Sequence, residues 1–285
     1  MDPIKIAVLS GKGGTGKTFV SVNLASVLKD SCYMDCDVEE PNGNLFFQVT
    51  PEEKKDVTVK IPVIDRSKCD GCRICSDFCA FHALIYIVDR IVVLENMCHS
   101  CGGCKILCPK QAIDFKEKPI GVIEQGKTKN NTIVSGVMNP NYPSGIPILH
   151  EMFASFSKED VIIMDCCPGA SCSVIECVKQ ADFCLMVAED SLFGFHNLKM
   201  VYELIHQFHK PHAVLINKGT SSSLIEPFCY ENKIPMLPAI PFDRTIATLL
   251  SQGKILVEHD EKYHALFTQY LQQIQEIYHE TITRS

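Results

Sequence analysis

The stretch Gly11-Lys12-Gly13-Gly14-Thr15-Gly16-Lys17-Thr18 fits G-x-x-x-x-G-K-[ST], and its surroundings leave the chain few folds to choose from. The apolar run Ile4 to Leu9 enters it as a strand. Val20, Leu24, Val27 and Leu28 leave it at the i, i+4, i+7, i+8 spacing of a buried helix face. A strand that turns through glycines into a helix N-terminus aims backbone N–H groups and the positive end of the helix at one anion. Gly11, Gly13, Gly14, Thr15 and Gly16 therefore read as a phosphate cradle. Lys17 reads as the cation on the β/γ-phosphates of ATP, and Thr18 as a hydroxyl on Mg²⁺. The competing reading is a Gly-rich turn that binds nothing.

Beyond the loop, Cys32 to Asp37 reads as a second buried strand ending in two acidic residues. After Thr132, short apolar runs alternate with helical patterns: Val161–Met164, Val174–Gln180, Cys184–Ala188, Leu198–Phe208, Ala213–Ile216 and Met236–Ile240. Such alternation predicts an α/β fold, a mostly parallel sheet with helices on both faces. Tyr263 to Tyr278 sets eight apolar or aromatic residues on one helix face, from Tyr263, Leu266 and Phe267 to Ile277 and Tyr278. The polar face is acidic or neutral, so packing on the sheet is expected in place of a membrane surface.

The middle of the chain breaks this rhythm. Residues 62–118 carry eight cysteines, a possible hairpin through Asp89-Arg90 and no long helical pattern, so they read as an inserted α+β domain. The P-loop ATPase domain is then discontinuous, 1–61 and 119–285. Within the insert Cys69, Cys72, Cys75 and Cys79 recur with the same spacing at Cys98, Cys101, Cys104 and Cys108. C-x2-C-x2-C-x3-C lets three neighbouring thiolates hold three irons of a cubane while the fourth comes from the other run. On that crossing Cys69, Cys72, Cys75 and Cys108 bind one [4Fe-4S] cluster, and Cys98, Cys101, Cys104 and Cys79 the other. Zinc is the competing metal, since paired C-x2-C elements also build tetrahedral sites. Pro109 after the second run favours iron and sulfide.

Sixteen cysteines in the whole chain suggest metal ligation or redox work in a reducing compartment. The opening residues show no leader, and no run approaches the roughly 18 apolar residues of a membrane span. A cytoplasmic protein is expected. With a formal charge of −7 and no Lys/Arg block longer than a dipeptide, neither nucleic acid nor an anionic membrane is an expected partner.

The second lysine of the loop, Lys12, makes the chain resemble the MinD/Mrp/ParA class of P-loop ATPases, which includes the nitrogenase iron protein. The resemblance implies that Lys12 reaches across an ATP-dependent homodimer to the partner's nucleotide. "YMDCDVEEPN" resembles the first switch of that class, with Asp37 near the γ-phosphate and attacking water, although Asp35 and Asp37 also read as plain strand-end carboxylates. "VIIMDCCPG" resembles the Walker B strand and second switch, with Asp165 holding Mg²⁺ directly or through water. "LINKG" implies Asn217 as an adenine contact, with a buried strand-end Asn as the alternative, and "PAIPFD" from Pro238 resembles the loop beside the base. The insert resembles a bacterial two-cluster ferredoxin, with Ala80 where that family has proline. Together the chain resembles MinD-superfamily ATPases with an inserted ferredoxin domain.

Cys172 follows Asp165 by the seven residues that separate a cluster ligand from this aspartate in the nitrogenase iron protein, so it is a candidate extra redox or cluster site. "NPNYPSGIPI", where the other ligand of a bridging cluster would fall, has no cysteine. The C-terminal C-x-x-C of the Mrp carriers is absent too, since no cysteine follows Cys229. Three functions follow. One is an ATPase whose dimerisation and nucleotide state gate electron transfer from two clusters to a redox partner. Another is a factor that assembles or delivers clusters to an acceptor protein. The third is a positioning ATPase like MinD or ParA.

Overall fold

The computed structural model describes residues 4–140, 142–155 and 161–284, so the first three residues and the last of the expected ATPase portion lie outside the described residues. The chain opens with β1 (Ile4–Leu9), α1 (Lys17–Ser26), β2 (Ser31–Asp35), a single turn α2 (Asn44–Phe47) and the long strand β3 (Glu53–Ile64). The cysteine-rich stretch adds α3 (Ile74–Phe78), the hairpin β4 (Leu84–Ile87) and β5 (Arg90–Val93), and α4 (Gly103–Ile106). The chain returns through β6 (Ile113–Lys127), β7 (Asn131–Met138), α5 (Ile146–Ser155), β8 (Val161–Asp165), α6 (Cys172–Gln180) and β9 (Phe183–Glu189). It ends with α7 (Leu192–Gln207), β10 (His212–Asn217), α8 (Ile225–Glu231), β11 (Met236–Ile240), α9 (Arg244–Ser251) and α10 (Glu261–Arg284).

Among the described residues nine strands form one sheet in the order β11-β10-β9-β1-β8-β2-β7-β6-β3. From β11 to β7 the neighbours are parallel, and β6 and β3 add two antiparallel strands at one edge. Strand residues alternate between two cores. Ala7 and Leu9 face the side covered by α5 to α8, whereas Ile6 and Val8 face α1, α9 and α10. The C-terminal helix buries Tyr263, Phe267, Tyr270, Leu271 and Ile274, so its apolar stripe is consumed by the fold. Among the described residues no helix is long and apolar enough to cross a membrane.

Three features differ from the expectation. The boundaries at Pro62 and Lys118 fall inside paired strands: β3 and β6 pair from Glu53↔Gln125 to Ile64↔Ile113 with one register shift between Val57 and Thr58, and the cysteine-rich segment rides on the far end of that ribbon. Val57, Val59 and Ile61 are buried between exposed Thr58 and Lys60-type positions, the alternation of a half-buried strand. The hairpin turn is Val88-Asp89, both at positive φ (44° and 60°), with Arg90 already in β5. The third is α5, an unexpected helix that begins at the end of the "NPNYPSGIPI" stretch. It buries Ile148, Leu149, Met152 and Phe153 against β6 and β7.

Candidate functional site

The parallel register decides which residues meet at the carboxyl ends of the strands. Val8 of β1 pairs with Asp165 of β8, and Asp165 pairs on its other side with Asp35 of β2. The glycine loop leaving β1 therefore arrives over two carboxylates. Gly14 and Gly16 adopt φ of 80° and 93°, a region that favours glycine. At Gly16 a Cβ would also fall 2.1 Å from the Asn217 amide nitrogen, so no other residue fits without displacing that side chain.

Lys17 begins α1, and its ammonium donates to Asp165 Oδ1 at 2.6 Å. Ser21, one turn later, donates to the same oxygen at 3.0 Å, and the phenol of Tyr33 donates to Asp165 Oδ2 at 2.9 Å. Burial alone would lower the Lys17 pKa, but the charge and hydrogen bond of Asp165 override it and hold the ammonium protonated. Asp35 accepts three backbone N–H groups, from Asp37 (3.1 Å), Asn42 (3.0 Å) and Gly43 (2.8 Å). Those bonds hold the loop after β2 in place. Burial, then the charge of Asp165, pushes the Asp35 carboxyl up to about 7. Asp37 is half-buried, and burial raises its carboxyl as well, opposed by Lys17. The two acidic residues thus differ in place: Asp35 anchors the loop, and Asp37 is half-buried within electrostatic reach of Lys17 and Asp165.

Thr18 is the second residue of α1, and the Thr15 hydroxyl is buried without a hydrogen-bond partner among the described residues. Gly11 and Gly13 complete the loop, and a Cβ at Gly11 would strike the Asn197 carbonyl at 2.3 Å. The Lys12 ammonium is paired with Glu189, the last residue of β9, and lies 5.1 Å from the ring centroid of Phe193. Asn217 is 4% exposed and donates its amide to the Thr15 carbonyl at 2.7 Å, so its side chain braces the loop. Lys218 donates to the Gly14 carbonyl. Pro238 lies within β11, not in a loop, and its carbonyl accepts the Tyr270 hydroxyl at 2.6 Å. The expected loop begins only after Ile240, and Asp243 caps α9 through the Thr245 N–H. Tyr33, Ser21, Glu189 and Lys218 were missed from sequence. Only Ser21 and Tyr33 left a signal, a hydroxyl four residues after Lys17 and a phenol two residues before Asp35 in an apolar strand.

At the end of the β3–β6 ribbon the eight cysteines line two cavities. One is bounded by Cys69, Cys72, Cys75 and Cys108, the other by Cys79, Cys98, Cys101 and Cys104. Backbone N–H groups of Ala83, Ser100 and Ala112 point at the sulfurs of Cys79, Cys98 and Cys108 at 3.3, 3.4 and 3.3 Å. Among the described residues no three His, Cys, Asp or Glu side chains converge as around a single metal ion. Away from the ribbon, Cys36, Cys166 and Cys177 are buried beneath the strand ends, and Cys172 is exposed at the start of α6.

The sequence profile described as "CobQ/CobB/MinD/ParA nucleotide binding domain" matches residues 6–257. An uncharacterized protein of Methanocaldococcus jannaschii is 27% identical over 264 residues, 90% of this chain and 92% of that protein. Among solved structures, the cell division ATPase MinD of Pyrococcus furiosus aligns with a TM-score of 0.57 and 17% identity, covering 96% of this chain and 99% of that one. The septum site-determining protein MinD of Pyrococcus horikoshii, complexed with Mg-ADP, aligns with the same TM-score of 0.57 and 17% identity, covering 94% and 96% of the two chains. At these identities the structural likeness concerns the fold, an α/β P-loop NTPase with a mostly parallel sheet.

Proposed function

Because this chain belongs to the CobQ/CobB/MinD/ParA nucleotide-binding family, we propose that it binds and hydrolyses ATP with Mg²⁺ as a homodimer, and that residues 62–118 hold two [4Fe-4S] clusters whose use depends on the nucleotide. Gly11 to Gly16 cradle the phosphates, and Lys17 exchanges Asp165 for phosphate oxygens. Thr18 and the freed Asp165 are the groups that would hold Mg²⁺. Lys12 leaves Glu189 for the partner's nucleotide, and Asp37 orients the attacking water. Asn217 offers its side-chain amide to the base, and Pro238 lies in β11, the strand that leads to the base loop.

One observation carries the cluster reading. The eight cysteines divide into two cavities along the crossing that the C-x2-C-x2-C-x3-C repeat requires, Cys69, Cys72, Cys75, Cys108 against Cys79, Cys98, Cys101, Cys104. The N–H groups aimed at three of the sulfurs suit thiolates, which accept such bonds and are stabilised by them. Cubanes would supply one-electron storage at these sites. Cys75, Cys98 and Cys104 are buried, which suits ligands that stay bound and favours relay of electrons to a redox partner over delivery of clusters to an acceptor. Exposed Cys172 is the observation that favours the carrier reading. The positioning reading draws on the likeness to MinD folds; against a membrane-surface role for α10 stand its buried apolar face and the formal charge of −7.

Anaerobically purified protein is expected to hold about eight iron and eight acid-labile sulfide per chain, as two cubanes require. Stoichiometric zinc without charge-transfer absorption would remove the cluster reading and leave a plain P-loop ATPase. For the nucleotide half, Asp37→Ala is expected to slow single-turnover hydrolysis about 10²-fold while ATP affinity stays nearly unchanged, because a water-orienting carboxylate acts in the transition state. Equal losses of binding and turnover would reassign Asp37 to ground-state binding.

A further inference from the structure

The two cysteine sets differ in their attachment to the ATPase body. Cys98 belongs to the same continuous core as Val38, Ile148 and Tyr142, and Cys79 packs against that core, whereas Cys69, Cys75 and Cys108 pack in a separate small core with Leu84, Ile91 and Ile113, which Cys104 and Cys79 share. Tyr142 follows β7 and is 9% exposed, and its phenol donates to the Cys98 carbonyl at 3.4 Å. The Ser100 hydroxyl lies against the same phenol, lines the Cys79/Cys98/Cys101/Cys104 cavity, and is buried without completing a hydrogen bond of ordinary geometry.

The other side of Tyr142 leads to the loop that carries Asp37. Val38, the next residue, is seated in a slot cut by two glycines. A Cβ on Gly136 would fall 2.7 Å from one Val38 methyl, and a Cβ on Gly145 would fall 2.2 Å from the other. The Val38 carbonyl accepts the Met138 N–H at 2.8 Å, and Tyr142 N–H returns to the Asn139 carbonyl at 3.3 Å. Close-packed backbone has no slack, so displacement of Val38 must be passed to the segment that holds Tyr142.

We propose that Tyr142 is the positioning residue through which the Asp37 loop acts on the site formed by Cys79, Cys98, Cys101 and Cys104, and that the site formed by Cys69, Cys72, Cys75 and Cys108 stands outside this contact. The inference rests on the cluster reading above. Its physical basis is that hydrogen bonding and solvent access around cluster sulfurs set the reduction potential. Tyr142 and Ser100 stand at one of the two sites and can change both there.

The test is a potentiometric titration of the loaded, full-length protein followed by electron paramagnetic resonance, without nucleotide, with Mg-ADP and with a non-hydrolysable Mg-ATP analogue. One of two one-electron couples is expected to change its reduced-to-oxidised ratio about tenfold between nucleotide states, about 59 mV, while the other stays put. Ser100→Ala is expected to move the responsive couple. Lys110→Gln, which removes a cation lining the other cavity, is expected to lower the unresponsive one. Tyr142→Phe keeps the buried ring and removes the hydroxyl. It should retain iron and ATP binding but lose most of the nucleotide-dependent shift.

A shift that survives Tyr142→Phe, two couples that move alike, or two that stay still would overturn the inference while the iron content and ATP turnover leave the function reading standing. If Tyr142→Phe does not hold iron, Ser100→Ala decides, since a responsive couple blind to Ser100 excludes this contact. A chain that loads no clusters overturns both readings.

Discussion

Lys17→Ala is expected to weaken ATP binding by about a hundredfold or more and to destabilise the nucleotide-free fold as well. The ammonium is 7% exposed and bonded to Asp165, itself 1% exposed, with Asp35 also 1% exposed on the neighbouring strand. Removing one partner of such a buried pair costs about 3–5 kcal/mol because the other charge is left without compensation. The same loss applied to phosphate oxygens gives the expected drop in affinity, at about 1.4 kcal/mol per tenfold. The stability defect has a pH signature. Asp35 already titrates at about 7 in the folded protein, above the ordinary carboxylate value of 3.8. A carboxyl whose folded pKa is raised takes up more protons when native, so its contribution to stability is full below about pH 4 and is lost as pH rises toward 7. Without the lysine, that loss deepens. Denaturation midpoints of Lys17→Ala should therefore approach those of the parent at pH 5 and fall away at pH 8. A folded variant that binds ATP normally at either pH would remove Lys17 from the phosphate site.

Lys12→Ala is expected to do the reverse, sparing the fold and nearly abolishing turnover. Its ion pair with Glu189 is partly exposed, 24% and 21% for the two side chains, and pairs of that kind contribute about 1 kcal/mol or less. Melting should hardly change. Hydrolysis should fall about 10³-fold, the order lost when a cation supplied in trans to the transferring phosphoryl group is removed, and sedimentation should show no dimer with Mg-ATP. Lys12 is engaged within its own chain by Glu189, a contact that the proposed reach across a dimer would have to break. Wild-type turnover and dimerisation in Lys12→Ala would mean that this contact is a structural one and nothing more.

The parts of the molecule that were readable from sequence are those governed by short-range chemistry. The glycine loop needs residues that tolerate positive φ between a strand and a helix, and Gly14 and Gly16 supply them at 80° and 93°. The period-2 and period-3.6 runs outlined most strands and helices after Thr132, and the cysteine spacing divided eight cysteines into the two sets that line separate cavities. Two long strands were passed over although Val57, Val59 and Ile61 alternate plainly, because the cysteine runs drew the domain boundary into the middle of the ribbon.

What sequence determined by itself, then, is the local conformation and the donor chemistry: a glycine loop between a strand and a helix, acidic strand ends and two thiol sets. Which of these meet was decided by the order β9-β1-β8-β2-β7 and its register. That order sets Lys17 against Asp165 across 148 residues of chain, brings Tyr33 to the same carboxylate, and places Glu189 beside Lys12. It also seats Val38 between Gly136 and Gly145, within reach of Tyr142 and Cys98. Hydrophobic periodicity says only that a strand is buried, and many strand orders would bury the same residues equally well. The order that was selected depends on helix packing over both faces of the whole sheet, a property of the assembled core that no short stretch of sequence carries.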